Sequence, residues 1–325
     1  MISGGLKRIA ISLAITLLVA MGLIFTQGPM DLTGEGGLDF SQQLANGRAH
    51  PAPLQSLPMR DGYPLQLRTY GGADDVPLLV LVHGSGWHGL QFDSLGKALE
   101  GHADVVAVDL RGHGTAPNRR GDIDYIGQFE DDLADLITAV AKPNQKVILG
   151  GHSSGGGLVV RFAGGAHRDL IDGAVLLAPF LKYNAPTTRQ NSGGWAHVLT
   201  RRVIGLSILN TFQIKALNHL PIIQFNMPKD VLDGPLGGTA TTAYSFRLNQ
   251  SFAPRAKYLE DAAALPPFVL LAGAADEAFL ADQYAPTMGA VTDQGRFELI
   301  AGATHLSIVD DPRTLGIIKE FLDGY

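Results

Sequence analysis

Cysteine is absent from all 325 residues. Its absence removes disulfides, thiolate zinc sites and cysteine nucleophiles together, while leaving the compartment open. A long basic run is also missing and the formal net charge is −6, so the chain carries no electrostatic footprint for nucleic acid. Ten histidines are present, but none stands in an H-E-x-x-H pattern or a Cys/His cluster. A metallohydrolase is therefore disfavoured, and neither metal nor cofactor is expected. What the chain does have is a 46% hydrophobic composition, enough to bury the core of one large domain or two small ones.

Lys7 and Arg8 precede the uncharged run Ile9 to Phe25. Its 17 residues lie at the short end of what spans a bilayer and slightly beyond a usual signal core. Residues 1–26 are read as a transmembrane anchor or signal segment. Positive residues before the span favour a cytoplasmic N-terminus and a catalytic body outside the cytoplasm, anchored to the membrane. Ala20-Met21-Gly22 offers small residues for signal cleavage, and a body secreted after cleavage is the alternative. Residues 27–58 read as a tether, with no sustained apolar period and with Pro51, Pro53 and Pro58 breaking any helix.

The chain is organised around Lys146 to Gly165. Val147, Ile148 and Leu149 are β-type, and Leu158, Val159 and Phe162 recur with helical spacing. Between them stands Gly151-His152-Ser153-Ser154-Gly155, a G-x-S-x-G turn whose glycines let the backbone hold a serine exposed at a strand tip. In a chain with 40 glycines those five letters alone are weak. The strand before them and the helix after them give them weight.

Further strand-like runs appear at Leu65–Tyr70, Pro77–His83, Asp104–Leu110, Gly173–Pro179, Phe268–Leu271 and Arg296–Ile300, with helical patterns at Tyr125–Val140 and Pro312–Leu322. Such alternation predicts a mostly parallel, doubly wound α/β sheet with chemistry at the carboxyl ends of its strands. At one of those ends lies His83-Gly84-Ser85-Gly86-Trp87. The N–H of Ser85, paired with that of Ser154, is the expected oxyanion hole, with Gly86 the runner-up donor. His83 is expected to hold the loop's shape, Asp109 to pin its own turn and His113 to line the cleft.

Asp276 and His305 follow strands late in the chain. Serine, then acid, then histidine is the order in which such a sheet builds an acyl-transfer triad. Ser153 would attack, His305 would carry the proton and Asp276 would orient the imidazole. Glu277 is adjacent, but neighbouring side chains point apart, so one of the two serves, and Asp276 is preferred.

HGSGW, DLRGHG, GHSSG, LLAGAADE and GATH together resemble the α/β-hydrolase superfamily, standing where it has its oxyanion loop, strand-four turn, elbow, acid loop and histidine. The branch most resembled is that of lysophospholipases, monoglyceride lipases and serine aminopeptidase-like hydrolases. A serine nucleophile argues against the dehalogenase and epoxide hydrolase branches, which attack with aspartate. The resemblance implies a core at 59–180 and 259–325, and a metal-free serine hydrolase of carboxylic esters acting through an acyl-enzyme on Ser153. An amidase or peptidase with the same triad, or a silent binding protein on this fold, are the alternatives.

Residues 181–258 are far too many for an ordinary connection. They read as a helical cap, with helices at Trp195–Leu209, Phe212–Leu220 and Thr242–Phe252. The surplus of apolar residues in Trp195–Leu220 suggests an acyl pocket and lipid-derived esters such as lysophospholipids or monoacylglycerols. The alternative is a cap packed on itself above a small polar cleft reached by His88, His113 and Arg189.

Overall fold

The computed structural model describes residues 4–34, 37–45, 50–71 and 75–325. A first helix, α1 (Gly4–Phe25), leads to a short helix, α2 (Ser41–Ala45). The main sheet then forms from β1 (Gln55–Pro58), β2 (Pro64–Tyr70), β3 (Leu78–Val82), β4 (Asp104–Asp109), β5 (Val147–His152) and β6 (Gly173–Leu177). Between them lie α3 (Asp93–Ala98), α4 (Gln128–Val140) and α5 (Ser154–Ala163). An insert follows with β7 (Ala196–Val198), α6 (Thr200–Thr211), β8 (Pro221–Phe225) and β9 (Ala243–Ser245). The sheet is completed by β10 (Phe268–Gly273) and β11 (Gly295–Ile300), and the helix Pro312–Leu322 lies near the end of the chain.

The eight-stranded sheet runs in the order β1-β2-β4-β3-β5-β6-β10-β11. Only the β1–β2 and β2–β4 pairs are antiparallel. β3, β5, β6 and β10 are buried along their whole length, as expected of continuous apolar runs covered on both faces. Val80, Val82, Leu149 and Leu176 face one apolar layer with Phe129 and Phe162, while Leu79, Leu81, Ile148 and Val175 face the other with Phe92 and Ile318. This is the α/β-hydrolase architecture.

Two expectations change. The stretch 27–58 is not a bare tether, because Gln55–Pro58 pairs with β2 as the sheet's edge strand. An edge tolerates Pro58, whose missing N–H costs no ladder bond on the solvent side. The insert is also not wholly helical. Residues 196–198 and 221–225 are strands, and with 243–245 they make a three-stranded antiparallel sheet. These strands are too short for period-two alternation to register, and β-branched residues are mixed with helix formers around them.

α1 is the one helix among the described residues that is long and apolar enough to cross a membrane. Its 22 residues span about 33 Å. Leu17, Ala20 and Ile24 pack on Leu206, Leu209 and Ile222 of the insert, leaving Ile9, Ile11, Ile15 and Leu18 exposed. Gly205 permits this approach, since a Cβ there would come within 2.6 Å of the Ala20 carbonyl oxygen. Arg202 donates to the Ile24 carbonyl at the helix C-terminus, where a cation is favoured. Much of the apolar surplus of the insert therefore packs α1.

Candidate active site

The elbow is built from β5 running into α5. Ser153 sits between them at φ 55°, ψ −120°, a strained conformation for a residue with a Cβ. The strain persists because its neighbours leave no alternative: a Cβ on Gly155 would overlap the Val82 carbonyl oxygen of β3. Ser153 N–H donates to the Leu177 carbonyl of β6 at 2.9 Å, and the Ser153 carbonyl accepts from Phe180 and Gly157. The nucleophile candidate is thus fixed from both sides.

Around it, side chains from three strand ends meet. The Ser153 hydroxyl lies 2.9 Å from His305 Nε2, and His305 Nδ1 lies 2.8 Å from Asp276 Oδ2. All three are buried. Burial works to raise the Asp276 carboxyl, but the His305 ring and the N–H groups of Phe279 and Ala278 outweigh it and hold it below the ordinary carboxylate value. Those two N–H groups bond Asp276 Oδ1 at 2.7 and 2.8 Å, leaving Oδ2 for the imidazole. The Arg189 guanidinium steadies the same loop by donating to the carbonyls of Asp276 and Phe279.

Glu277 takes a different part. Its carboxylate accepts from the N–H of His305 at 2.9 Å and from the N–H of Asp39 at 3.1 Å. It joins the histidine's backbone to the N-terminal segment and does not face the imidazole.

The loop after β3 lies directly on the elbow, for a Cβ on Gly84 would stand 3.1 Å from Ser153 Cβ. Among the described residues, no acceptor is hydrogen-bonded to the N–H of Ser85 or of Ser154, the latter at the start of α5. Their hydroxyls bond each other. Gly86, the runner-up donor, is not available: its N–H donates to the Tyr244 hydroxyl at 2.6 Å.

His83 bridges its own loop as expected, donating from Nδ1 to the Gly84 carbonyl and accepting at Nε2 from Leu110 N–H. Asp109 accepts from Gly89 N–H and pairs with Arg68. His113, expected to line the cleft, is instead buried beneath the insert with Nε2 2.7 Å from the Tyr244 hydroxyl. His152 donates from Nε2 to the His305 carbonyl.

Burial pushes the His83 imidazole from 6.5 down to about 4, and burial with the nearby His305 ring pushes His152 to about 3. Burial, with His83 beside it, holds His113 well below its ordinary value. The unfolded chain protonates these rings below about pH 6.5, whereas the folded chain resists until far lower pH. Their contribution is fully present above that value and is lost as pH falls toward 4 and then 3. Each ring should cost about 1.4 kcal/mol of stability per pH unit over its window. Urea unfolding at pH 7.5, 6.0 and 5.0 should show a falling midpoint, with a shallower fall in His83→Gln; a midpoint that rises on acidification would contradict these assignments.

The cavity over Ser153 is lined by Leu38, Phe40, Trp87, Trp195 and Leu306 together with the polar groups of the site. It encloses only about 10 Å³, barely room for one water. Phe40 closes it, its ring 5.5 Å from Trp87 and 5.8 Å from Trp195. Leu38 and Phe40 lie in the stretch expected to be a tether. Gln224 holds that stretch through both the N–H and the carbonyl of Met30, and Asn226 accepts from Gly34 N–H. Leu199, expected beside Trp195 in an acyl pocket, is buried elsewhere and does not line this cavity.

A family model described as serine aminopeptidase, S33, matches residues 74–312, well over half of the chain. The chain belongs to that family of α/β hydrolases. Among relatives of this S33 chain, an uncharacterized protein of Mycobacterium bovis is 24% identical over 82% of the chain and 84% of its own length. Among solved structures, a soluble variant of the monoglyceride lipase of Saccharomyces cerevisiae, in complex with a substrate analog, aligns with a TM-score of 0.66. It covers 85% of the chain and 96% of that protein at 17% identity. A bacterial membrane phospholipase A aligns with a TM-score of 0.57 over 98% of both chains at 18% identity. These structures share the fold.

Proposed function

We propose that this S33-family hydrolase cleaves carboxylic esters through an acyl-enzyme on Ser153. The observation that carries the reading is the Ser153–His305–Asp276 line of hydrogen bonds at a strained elbow, with the Ser85 and Ser154 N–H groups beside it. His305 Nε2 takes the hydroxyl proton as Oγ attacks the carbonyl carbon. The Ser85 and Ser154 N–H groups take the oxyanion, and Asp276 holds the imidazolium that forms. Collapse expels the alcohol, which receives the proton from His305, and water repeats the cycle to release the acid.

The cavity favours an ester over an amino-terminal peptide. An aminopeptidase needs a carboxylate to hold the substrate ammonium, and no Asp or Glu is among the described residues that line the cavity. Glu277, the nearest candidate in sequence, is already committed to two backbone N–H groups. The apolar lining suits an acyl chain, and α1 points to lipid-derived esters. A bilayer that holds α1 also holds close the insert packed on it. Lys7 and Arg8 before the apolar run support a body on the extracytoplasmic side.

Hydrolysis of p-nitrophenyl esters of graded chain length, beside aminoacyl amides, tests this. An acyl chain needs Phe40 displaced from between Trp87 and Trp195; each methylene then seated there should add up to about 0.8 kcal/mol, so kcat/KM should climb at least about tenfold from acetyl to octanoyl. Trp195→Ala should flatten the climb. A profile that peaks at acetyl, or faster cleavage of the amides, would overturn the lipid-ester reading.

A further inference from the structure

Tyr244 lies in β9 of the insert, 158 residues from the loop it touches, and its ring is almost fully buried. Its hydroxyl sits where three chain segments converge. It accepts from Gly86 N–H at 2.6 Å and lies 2.7 Å from His113 Nε2. An oxygen that accepts from an N–H keeps its own proton to give, so Tyr244 donates to His113 Nε2. The imidazole can receive it because its other nitrogen, Nδ1, lies 3.1 Å from the Arg111 carbonyl, which only accepts and so calls for an N–H. Beside Gly86 the Ser85 and Ser154 hydroxyls bond each other.

The result is one directed chain, Gly86 N–H to the Tyr244 hydroxyl to His113, ending on the Arg111 backbone. It anchors the backbone turn just after Ser85 to the insert. Gly86 stands at φ 77°, so the backbone turns sharply at the atom that Tyr244 holds.

We propose that Tyr244 is a positioning residue for the oxyanion hole: its hydroxyl, oriented by His113, holds the Ser85–Gly86 turn so that Ser85 N–H stays aimed at the reacting carbonyl. The oxyanion hole of this enzyme is thus completed by its insert. This rests on acyl transfer at Ser153. Tyr244 touches no substrate atom. Its effect is expressed only as charge develops on the carbonyl oxygen, when a displaced donor costs most.

Tyr244→Phe keeps the ring, and with it the edge contacts to Phe225 at 4.7 Å and His113 at 5.1 Å, and removes only the oxygen. In the full-length protein, kcat for p-nitrophenyl butyrate should fall roughly 10- to 100-fold with KM changed less than about twofold. Inhibition by an alkylboronic acid, whose adduct on Ser153 is tetrahedral, should weaken in parallel, and the chain-length profile should keep its shape. His113→Gln, which retains an acceptor near Nε2, should recover most of the activity lost in His113→Leu. Wild-type kcat in Tyr244→Phe would overturn the proposal, as would a loss confined to KM or a changed chain-length profile, either of which marks a purely structural role in the insert. Ser153→Ala measured alongside separates the two readings: if it is inactive while Tyr244→Phe matches wild type, the positioning role fails and acyl transfer stands. If Ser153→Ala remains active, acyl transfer itself fails.

Discussion

Ser153→Ala should reduce ester hydrolysis by at least about 10⁴-fold while leaving the fold and melting temperature close to those of the parent. The size of the loss follows from removing the hydroxyl that lies 2.9 Å from His305 Nε2. What remains is the contribution of the oxyanion donors and of binding, which elsewhere sustains a rate well above that in water. The fold should survive for a specific reason. Ser153 is held by its backbone N–H and carbonyl, which bond Leu177, Phe180 and Gly157, and among the described residues the side chain bonds only the histidine. Alanine still bears a Cβ at φ 55°, so the strain of the elbow is unchanged. Activity retained in this variant, measured on esters of several chain lengths, would remove the serine from the chemistry.

Asp276→Asn should cost turnover by a comparable factor, about 10⁴-fold in kcat, for a different reason. Asp276 Oδ2 accepts from His305 Nδ1, which leaves Nε2 unprotonated toward the serine. An asparagine amide placed there can offer N–H instead, stabilising the tautomer that carries its proton on Nε2 and cannot serve as base. The Phe279 and Ala278 N–H groups on Oδ1 discriminate further, since they require an oxygen at that position and so turn the amide nitrogen toward the imidazole. Glu277→Gln should have a much smaller effect on kcat, because its oxygens bond backbone N–H groups and a glutamine retains one of them. A large loss with Glu277→Gln and none with Asp276→Asn would transfer the acid's role.

The parts legible in the sequence share one property, locality. The elbow, the loop after β3 and the late acid and histidine are each short motifs at the ends of fully buried strands, so periodicity and turn chemistry locate them without tertiary knowledge. Ser153, Asp276 and His305 could be named because each follows an apolar run, and Asp276 could be preferred to Glu277 because successive side chains diverge. What stayed hidden depends on partners far away in the chain. The extended stretch that carries Leu38 and Phe40 is fastened by the amide groups of Gln224 and Asn226, 194 and 192 residues on, and nothing in its own spacing announces them. The same holds for Tyr244, whose hydroxyl takes up Gly86 N–H and so removes that residue from the oxyanion candidates. Apolar excess in the insert was visible but ambiguous: Leu206 and Leu209 bury α1, whereas Trp195 alone among the expected residues reaches the cavity. The closed state of that cavity, about 10 Å³ under Phe40, also lies beyond any reading of composition.

The most direct measurement is labelling of the purified full-length protein with an alkyl fluorophosphonate, followed by mapping of the modified peptide by mass spectrometry. An acyl-enzyme mechanism at Ser153 requires stoichiometric modification of Ser153, loss of esterase activity in step with labelling, and no labelling of Ser153→Ala. Modification that falls on Ser154 or elsewhere, or that persists in Ser153→Ala, would contradict it.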